Sequence, residues 1–119
     1  MDWNNDGKTD LIAGDYRGNV SLFLNTGAAG KPELAKAQRV EADGKPIAAR
    51  SHKLAGAKSK LHMADWDGDG LKDILVGYES TMILYKNAGT ASAPRFQAPV
   101  AIQSPEGRFT QRPSPYVVD

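Results

Sequence analysis

The chain has 119 residues, 40% hydrophobic and 24% charged, with no cysteine and a formal net charge of +1, the profile of a small soluble domain or of a piece of a larger one. Disulfides and thiolate metal sites are excluded, no apolar run approaches the roughly 18 residues of a membrane span, and the chain holds no basic-then-apolar secretion signal. The charge is unevenly spread: seven of the 14 acids (Asp2, Asp6, Asp10, Asp65, Asp67, Asp69, Asp73) occupy two short loops, and Lys31 to Lys60 hold eight Lys or Arg against three acids. Once cations neutralise the loops, the remaining surface favours anionic partners.

In chain order, "MDWNNDGKTD" is an acidic loop that runs into "DLIAG", a continuously apolar segment suited to a strand buried on both faces. A turn on Arg17-Gly18-Asn19 leads to "NVSLFLN", where Val20, Leu22 and Leu24 alternate with other residues in the manner of a strand. A third strand follows Pro32, through "AKAQRV", and "KLHMAD" is a strand leading into a second acidic loop, "DWDGDGLKD". There the series starts again: "DILVG", a turn on Glu79-Ser80, "TMILYKN", then "FQAPVAI", in which Pro99 suggests an outer edge strand. "SPYVVD", Ser114 to Asp119, resembles the lead-in to one more loop.

The duplication is regular. Asp2, Asp6, Gly7, Asp10 and Gly14 fall on Asp65, Asp69, Gly70, Asp73 and Gly77 at an offset of 63, and Asn25, Gly27, Pro32 and Val40 fall on Asn87, Gly89, Pro94 and Ile102 at 62. Four short strands per repeat predict an all-β fold made of β-propeller blades of four antiparallel strands, two blades per chain. The first repeat spans 1–63 and lacks its own innermost strand; the second spans 64–113, with its innermost strand starting near 60. Residues 114–119 read as the innermost strand of a further blade.

The acidic loops carry the chemistry. Asp65, Asp67, Asp69 and Asp73 stand at positions 1, 3, 5 and 9 of the second loop, with the Leu71 carbonyl as a further donor at position 7; the first loop offers Asp2, Asn4, Asp6, Asp10 and the Lys8 carbonyl. Clustered carboxylates repel one another unless a cation sits among them, and oxygen-only donors at this spacing suit Ca2+. The first loop, one carboxylate poorer, is expected to bind more weakly. An EF-hand would place a Glu at position 12 between helices, where Ala13 and Val76 stand within apparent strands. No catalytic base or open coordination position can be picked out, so the ion is expected to pin the loop rather than do chemistry.

Through "DWNNDGKTDLIAG" and "DWDGDGLKDILVG" the chain resembles the FG-GAP, or VCBS, repeat family, the calcium-binding blades of integrin-α-type propellers. The resemblance covers two units, nearly the whole chain. It implies blades around a channel with the strand before the loop innermost, and an extracellular or cell-surface setting. Two blades do not close a ring, so head-to-tail self-assembly of three or four chains is expected. In such a ring Tyr116, Val117, Val118 and Asp119 complete the first blade of a neighbour, with Asp119 beside its Asp2 loop.

Candidate ligand-binding residues lie in "RSHKLAGAKSKLH": Arg50, His52, Lys53 and His62, with Lys58 and Lys60 adding charge. They could hold an acidic glycan or protein through charge-assisted hydrogen bonds, or read instead as a solvated basic loop. Basic residues do not interleave with aromatics, so nucleic acid is not expected as a partner, and with no apolar run of membrane-spanning length neither is a membrane. Trp3 and Trp66 are expected to pack between blades, and Tyr16, Tyr78 and Tyr85 to pack in strands or turns. The leading functional expectation is a non-catalytic calcium-binding module that binds glycans or proteins; the alternative is a two-blade fragment of a secreted polysaccharide lyase or related carbohydrate-active enzyme.

Overall fold

A computed structural model describes residues 1–48, 60–78, 80–107, 109 and 115–118. Among these residues every regular element is a strand, every strand pairing is antiparallel, and there is no helix. An N-terminal sheet has the order β1 (Leu11–Gly14), β2 (Val20–Phe23), β3 (Gln38–Arg39). A small hairpin of β4 (Glu41–Ala42) and β5 (Lys45–Pro46) follows. The C-terminal sheet has the order β6 (Lys60–Ala64), β7 (Asp73–Tyr78), β8 (Thr81–Tyr85), β9 (Val100–Ile102).

The repeat seen in the sequence is preserved in the ladders. Leu11 pairs with Phe23 and Ile12 with Leu22, as Ile74 pairs with Tyr85 and Leu75 with Leu84. Ser21 pairs with Arg39 as Ile83 pairs with Ala101. The sheets differ at their inner edge, where β6 pairs with β7 through five residues. At the matching place in the N-terminal sheet only Met1 meets Asp10, whose N–H donates to the Met1 carbonyl at 2.6 Å. Beyond that bond, β1 pairs with no strand but β2 among the described residues.

Alternation along the strands gives each sheet two faces. Ile12, Val20, Leu22 and Val40 from one face of the N-terminal sheet, together with Trp3, pack against Ile74, Val76, Ile83, Tyr85 and Phe96 of the C-terminal sheet in one core. Leu61 and Met63 of β6 add to this core. The opposite face of the C-terminal sheet has a smaller core of Ala64, Leu75 and Leu84, flanked by Met82, Ile102 and Val117. Ile74, Leu75 and Val76 are all fully buried, as expected for "DILVG". "DLIAG" differs from its expectation: Leu11 is 47% exposed. The physical reason is that nothing described lies over the face of the N-terminal sheet that Leu11 and Ala13 share.

The β4–β5 hairpin turns at Asp43-Gly44, both with positive φ (51° and 70°), the backbone that a tight type I′ turn requires and that Asp-Gly adopts at low cost. It reaches the C-terminal sheet, where the Asp43 N–H donates to the Phe96 carbonyl at 2.9 Å. Ile47, almost fully buried, closes the hairpin against the shared core. Trp3 meets Phe96 with ring centroids 5.6 Å apart, so it packs between sheets as expected. Tyr85 is buried in the same core, whereas Tyr16 is exposed and the Tyr78 side chain lies outside the described part.

Candidate metal centre

Each acidic loop folds on its own carboxylates, and the two follow one hydrogen-bonding plan. In the second loop Asp65 accepts from the backbone N–H groups of Gly68, Asp69 and Gly70 at 2.7–3.1 Å. Asp69 accepts from the Leu71 N–H. Asp73 uses both oxygens, one for the Trp66 N–H at 2.9 Å and one for the Asn87 N–H at 2.8 Å. In the first loop Asp2 accepts from Asp6 and Gly7, Asp6 from Lys8, and Asp10 from Trp3 and Asn25, the last two at 2.7 Å. A carboxylate that closes a loop through backbone N–H groups fixes the backbone and satisfies donors that would otherwise depend on water.

Asp10 and Asp73 are buried and tie each loop to the chain just beyond β2 and β8 respectively. The bond partners there, Asn25 and Asn87, continue the chain of contacts. Asn25 Oδ1 accepts from the N–H groups of Gly27 and Glu33, and Asn87 Oδ1 accepts from those of Gly89 and Arg95, all at 2.9–3.0 Å. These two asparagines are functional to the loop's placement and were visible in the sequence only as a matched pair at an offset of 62.

The donor sets differ between the loops. Asp65, Asp67 and Asp73 each bring a carboxylate oxygen within 4.8 Å of the others, close enough to share one cation. Asp69 stands outside that group, its Oδ1 engaged by the Leu71 N–H. The acids of the first loop, Asp2, Asp6 and Asp10, do not converge so closely. Asn4 holds the place of Asp67 there, and its Oδ1 is buried without a hydrogen-bond partner while its Nδ2 donates to Asp6 at 3.2 Å. A buried acceptor without a donor costs about 1–3 kcal/mol, and a cation at this position would remove that cost. The cluster of Asp65, Asp67 and Asp73 could thus hold a metal ion. Lys8 and Leu71 occupy equivalent places, with their N–H groups turned onto Asp6 and Asp69.

Lys86, which sequence reasoning did not single out, enters the second site. Its Nζ lies 2.5 Å from Asp67 Oδ2. The hydrogen bond and charge of Lys86 hold the Asp67 carboxyl below its ordinary range, and Asp67, with smaller help from Asp73 and Asp69, raises the Lys86 ammonium above its own. The equivalent residue of the first repeat is Leu24, which packs in the core. A lysine beside a cluster of acids is detectable in the sequence only once Leu24 and Lys86 are aligned.

Of the candidate ligand-binding residues, His62 sits on β6, half-buried, with its ring 5.1 Å from that of Tyr116. Arg50, His52, Lys53 and Lys58 lie outside the described residues, as does Asp119. Tyr116 and Val118 are exposed, and Val117 packs on the smaller core. A cleft of about 430 Å³ opens where the two sheets and the β4–β5 hairpin meet, with Trp3 and Phe96 in its wall and Arg39, Glu41, Asp43 and Arg95 around it. Comparison with protein-family models, with curated proteins and with solved structures gave no match.

Proposed function

We propose that the protein is a calcium-binding β-propeller module of the FG-GAP kind, non-catalytic, whose two sheets are blades that assemble head to tail into a closed ring of three or four chains. The observation that carries this reading is the duplicated loop. Two segments 63 residues apart fold on matching carboxylate-to-backbone bonds, one with three convergent carboxylates and the other with a buried, unpartnered amide oxygen at loop position 3. Oxygen donors of this kind select calcium over softer metals, and the ion's part is to hold the loop between two strands. In an extracellular or cell-surface setting, modules of such chemistry bind calcium at roughly 10⁻⁴ to 10⁻³ M, and this is the range expected for the two loops.

In this reading the basic surface and the cleft beside Arg39 and Arg95 receive an acidic glycan or an acidic protein segment, through paired charges. Calorimetric titration with calcium tests the core of the proposal. The expected result is two binding events per chain and a rise in thermal midpoint that chelation reverses. A chain that takes up no calcium at millimolar concentration, with an unchanged midpoint, would sink it.

A further inference from the structure

The packing between the two sheets is itself a template for a contact that the described chain leaves unmade. Five of the residues that the N-terminal half turns toward the C-terminal sheet have apolar counterparts in the second repeat, while a sixth, Leu24, has Lys86 at its place. Trp3, Ile12, Val20, Leu22 and Val40 match Trp66, Leu75, Met82, Leu84 and Ile102. In the other direction, Ile74, Val76, Ile83, Tyr85 and Phe96 match Leu11, Ala13, Ser21, Phe23 and Leu34. The first member of each match is at the interface, and the second is not. Trp66 and Leu34, the counterparts of the touching pair Trp3 and Phe96, are respectively 45% and 48% exposed.

The edges obey the same correspondence. Met63 of β6 packs into the shared core while pairing with Ile74 of β7. Its counterpart at an offset of 54 is Val117, which packs on the smaller core but pairs with no strand among the described residues. The counterpart of Ile74 is Leu11, on the edge of β1 where no partner strand is described.

We propose that a second copy of this chain docks the Leu11, Phe23 and Leu34 face of its N-terminal sheet onto the Trp66, Leu75 and Leu84 face of the first, and that Pro115–Val117 pairs antiparallel with its β1. The register copies that of β6 on β7: Val117 opposite Leu11, Tyr116 opposite Ile12, Pro115 opposite Ala13. Met1 already holds the place of Val118 against Asp10, so the added pairing ends there. This deepens the head-to-tail reading and rests on it. What it adds is which faces meet and in which register. The occupant is a second copy because the face offered to Leu11 and Leu34 is apolar at the five positions that match Trp3, Ile12, Val20, Leu22 and Val40, which already meet Ile74 and Phe96.

The chain lacks cysteine, so introduced thiols report cleanly. Leu11→Cys and Val117→Cys chains are mixed with calcium and mildly oxidised. Opposed residues of an antiparallel pair have Cα atoms about 4.5–5.5 Å apart, within disulfide range, so a mixed disulfide dimer is expected, several-fold more than from Leu11→Cys with Tyr116→Cys, which is one residue out of register. Trp66→Ala, at an exposed position, should leave the single chain's thermal midpoint nearly unchanged and weaken association roughly tenfold or more, as loss of an interface tryptophan does. Larger species in calcium with no preference for the Leu11–Val117 pair, or association untouched by Trp66→Ala, would overturn the face and register assignment and leave self-assembly standing. A monomer that gives no cross-link would overturn both.

Discussion

β1 and β7 share one apolar pattern ending in glycine and the same ladder to the next strand, yet Leu11 lies half in solvent while Ile74 is completely buried. Ala13 and Val76 differ in the same direction. The segments are equivalent in local structure, and the difference lies in what stands behind them. Ile74 and Val76 have the N-terminal sheet against them, and Leu11 and Ala13 have nothing described. Burial here is a property of sheet stacking, not of the strand. One motif therefore contributes differently to stability at its two occurrences.

The sharpest way to break that comparison is to truncate the matched pair. Ile74→Ala is expected to cost about 2–5 kcal/mol, as large-to-small changes in a packed core do, while Leu11→Ala should cost less than about 1 kcal/mol in the single chain, measured by denaturant unfolding. Equal losses would mean that Leu11 is as buried as Ile74. The next largest effect concerns the loop anchors. Asp73→Asn and Asp10→Asn each replace a carboxylate that accepts two backbone N–H groups by an amide with one acceptor, at an expected cost of about 1–3 kcal/mol. Each should also abolish calcium uptake at its own loop and spare the other. Loss at both loops from one substitution would show that the two repeats are not independent metal sites.

A smaller contrast separates the loops in charge. The second has four aspartates but keeps Lys86 at 2.5 Å from one of them; the first has three and keeps a buried, unpartnered oxygen at that place. The lysine offsets one unit of charge, which weakens the expectation that the second loop binds more tightly simply because it holds more carboxylates. Lys86→Met is expected to raise calcium affinity at the second loop by no more than roughly fivefold, because an exposed ion pair is weak, with little change in the apo midpoint. Unchanged affinity in a titration would indicate that the ammonium swings away at no cost when calcium enters.

The sequence pattern made the repeats legible because their periodicity and loop chemistry are local. "DILVG" lies within β7 and the first five residues of "TMILYKN" form β8, and the turn at Arg17-Gly18-Asn19 has its bond from the Gly18 N–H to the Asp15 carbonyl. The first four donor side chains of the second loop were likewise readable, although only Asp65, Asp67 and Asp73 converge. What escaped reading was of two kinds. The β4–β5 hairpin had its signal in plain view, the Asp43-Gly44 dipeptide, but it lies in the part of the first repeat that has no counterpart of equal length in the second, so comparison of repeats passed over it. The exposure of Leu11 and the pairing of Lys86 with Asp67 are tertiary facts. No window of sequence contains both members of such a contact.

The smallest expected effect is in the connections from β1 to β2 and from β7 to β8. Asp15 closes the first: its carboxylate accepts from the Asn19 side chain at 2.7 Å and from the N–H groups of Asn19 and Arg17 at 2.8–2.9 Å. Those bonds, the Asn19 side chain foremost, hold the Asp15 carboxyl below its ordinary value. The connection from β7 to β8 has Tyr78 at the place of Asp15. A carboxylate whose pKa is lower folded than unfolded contributes stability that is complete above the unfolded value, near 3.8, and disappears as pH falls through the lower folded value. Asp15→Asn should therefore be slightly less stable than the parent chain at neutral pH, with the gap closing in acid below about pH 4. The measurement is a pair of denaturant unfolding series across that range, without calcium so that the loops do not contribute a second pH dependence. A gap that stays constant with pH would place the turn's stability in its backbone geometry alone, with the Asp15 charge contributing nothing. The two strand-joining turns would then be equivalent despite their different residues, as the two loops are not.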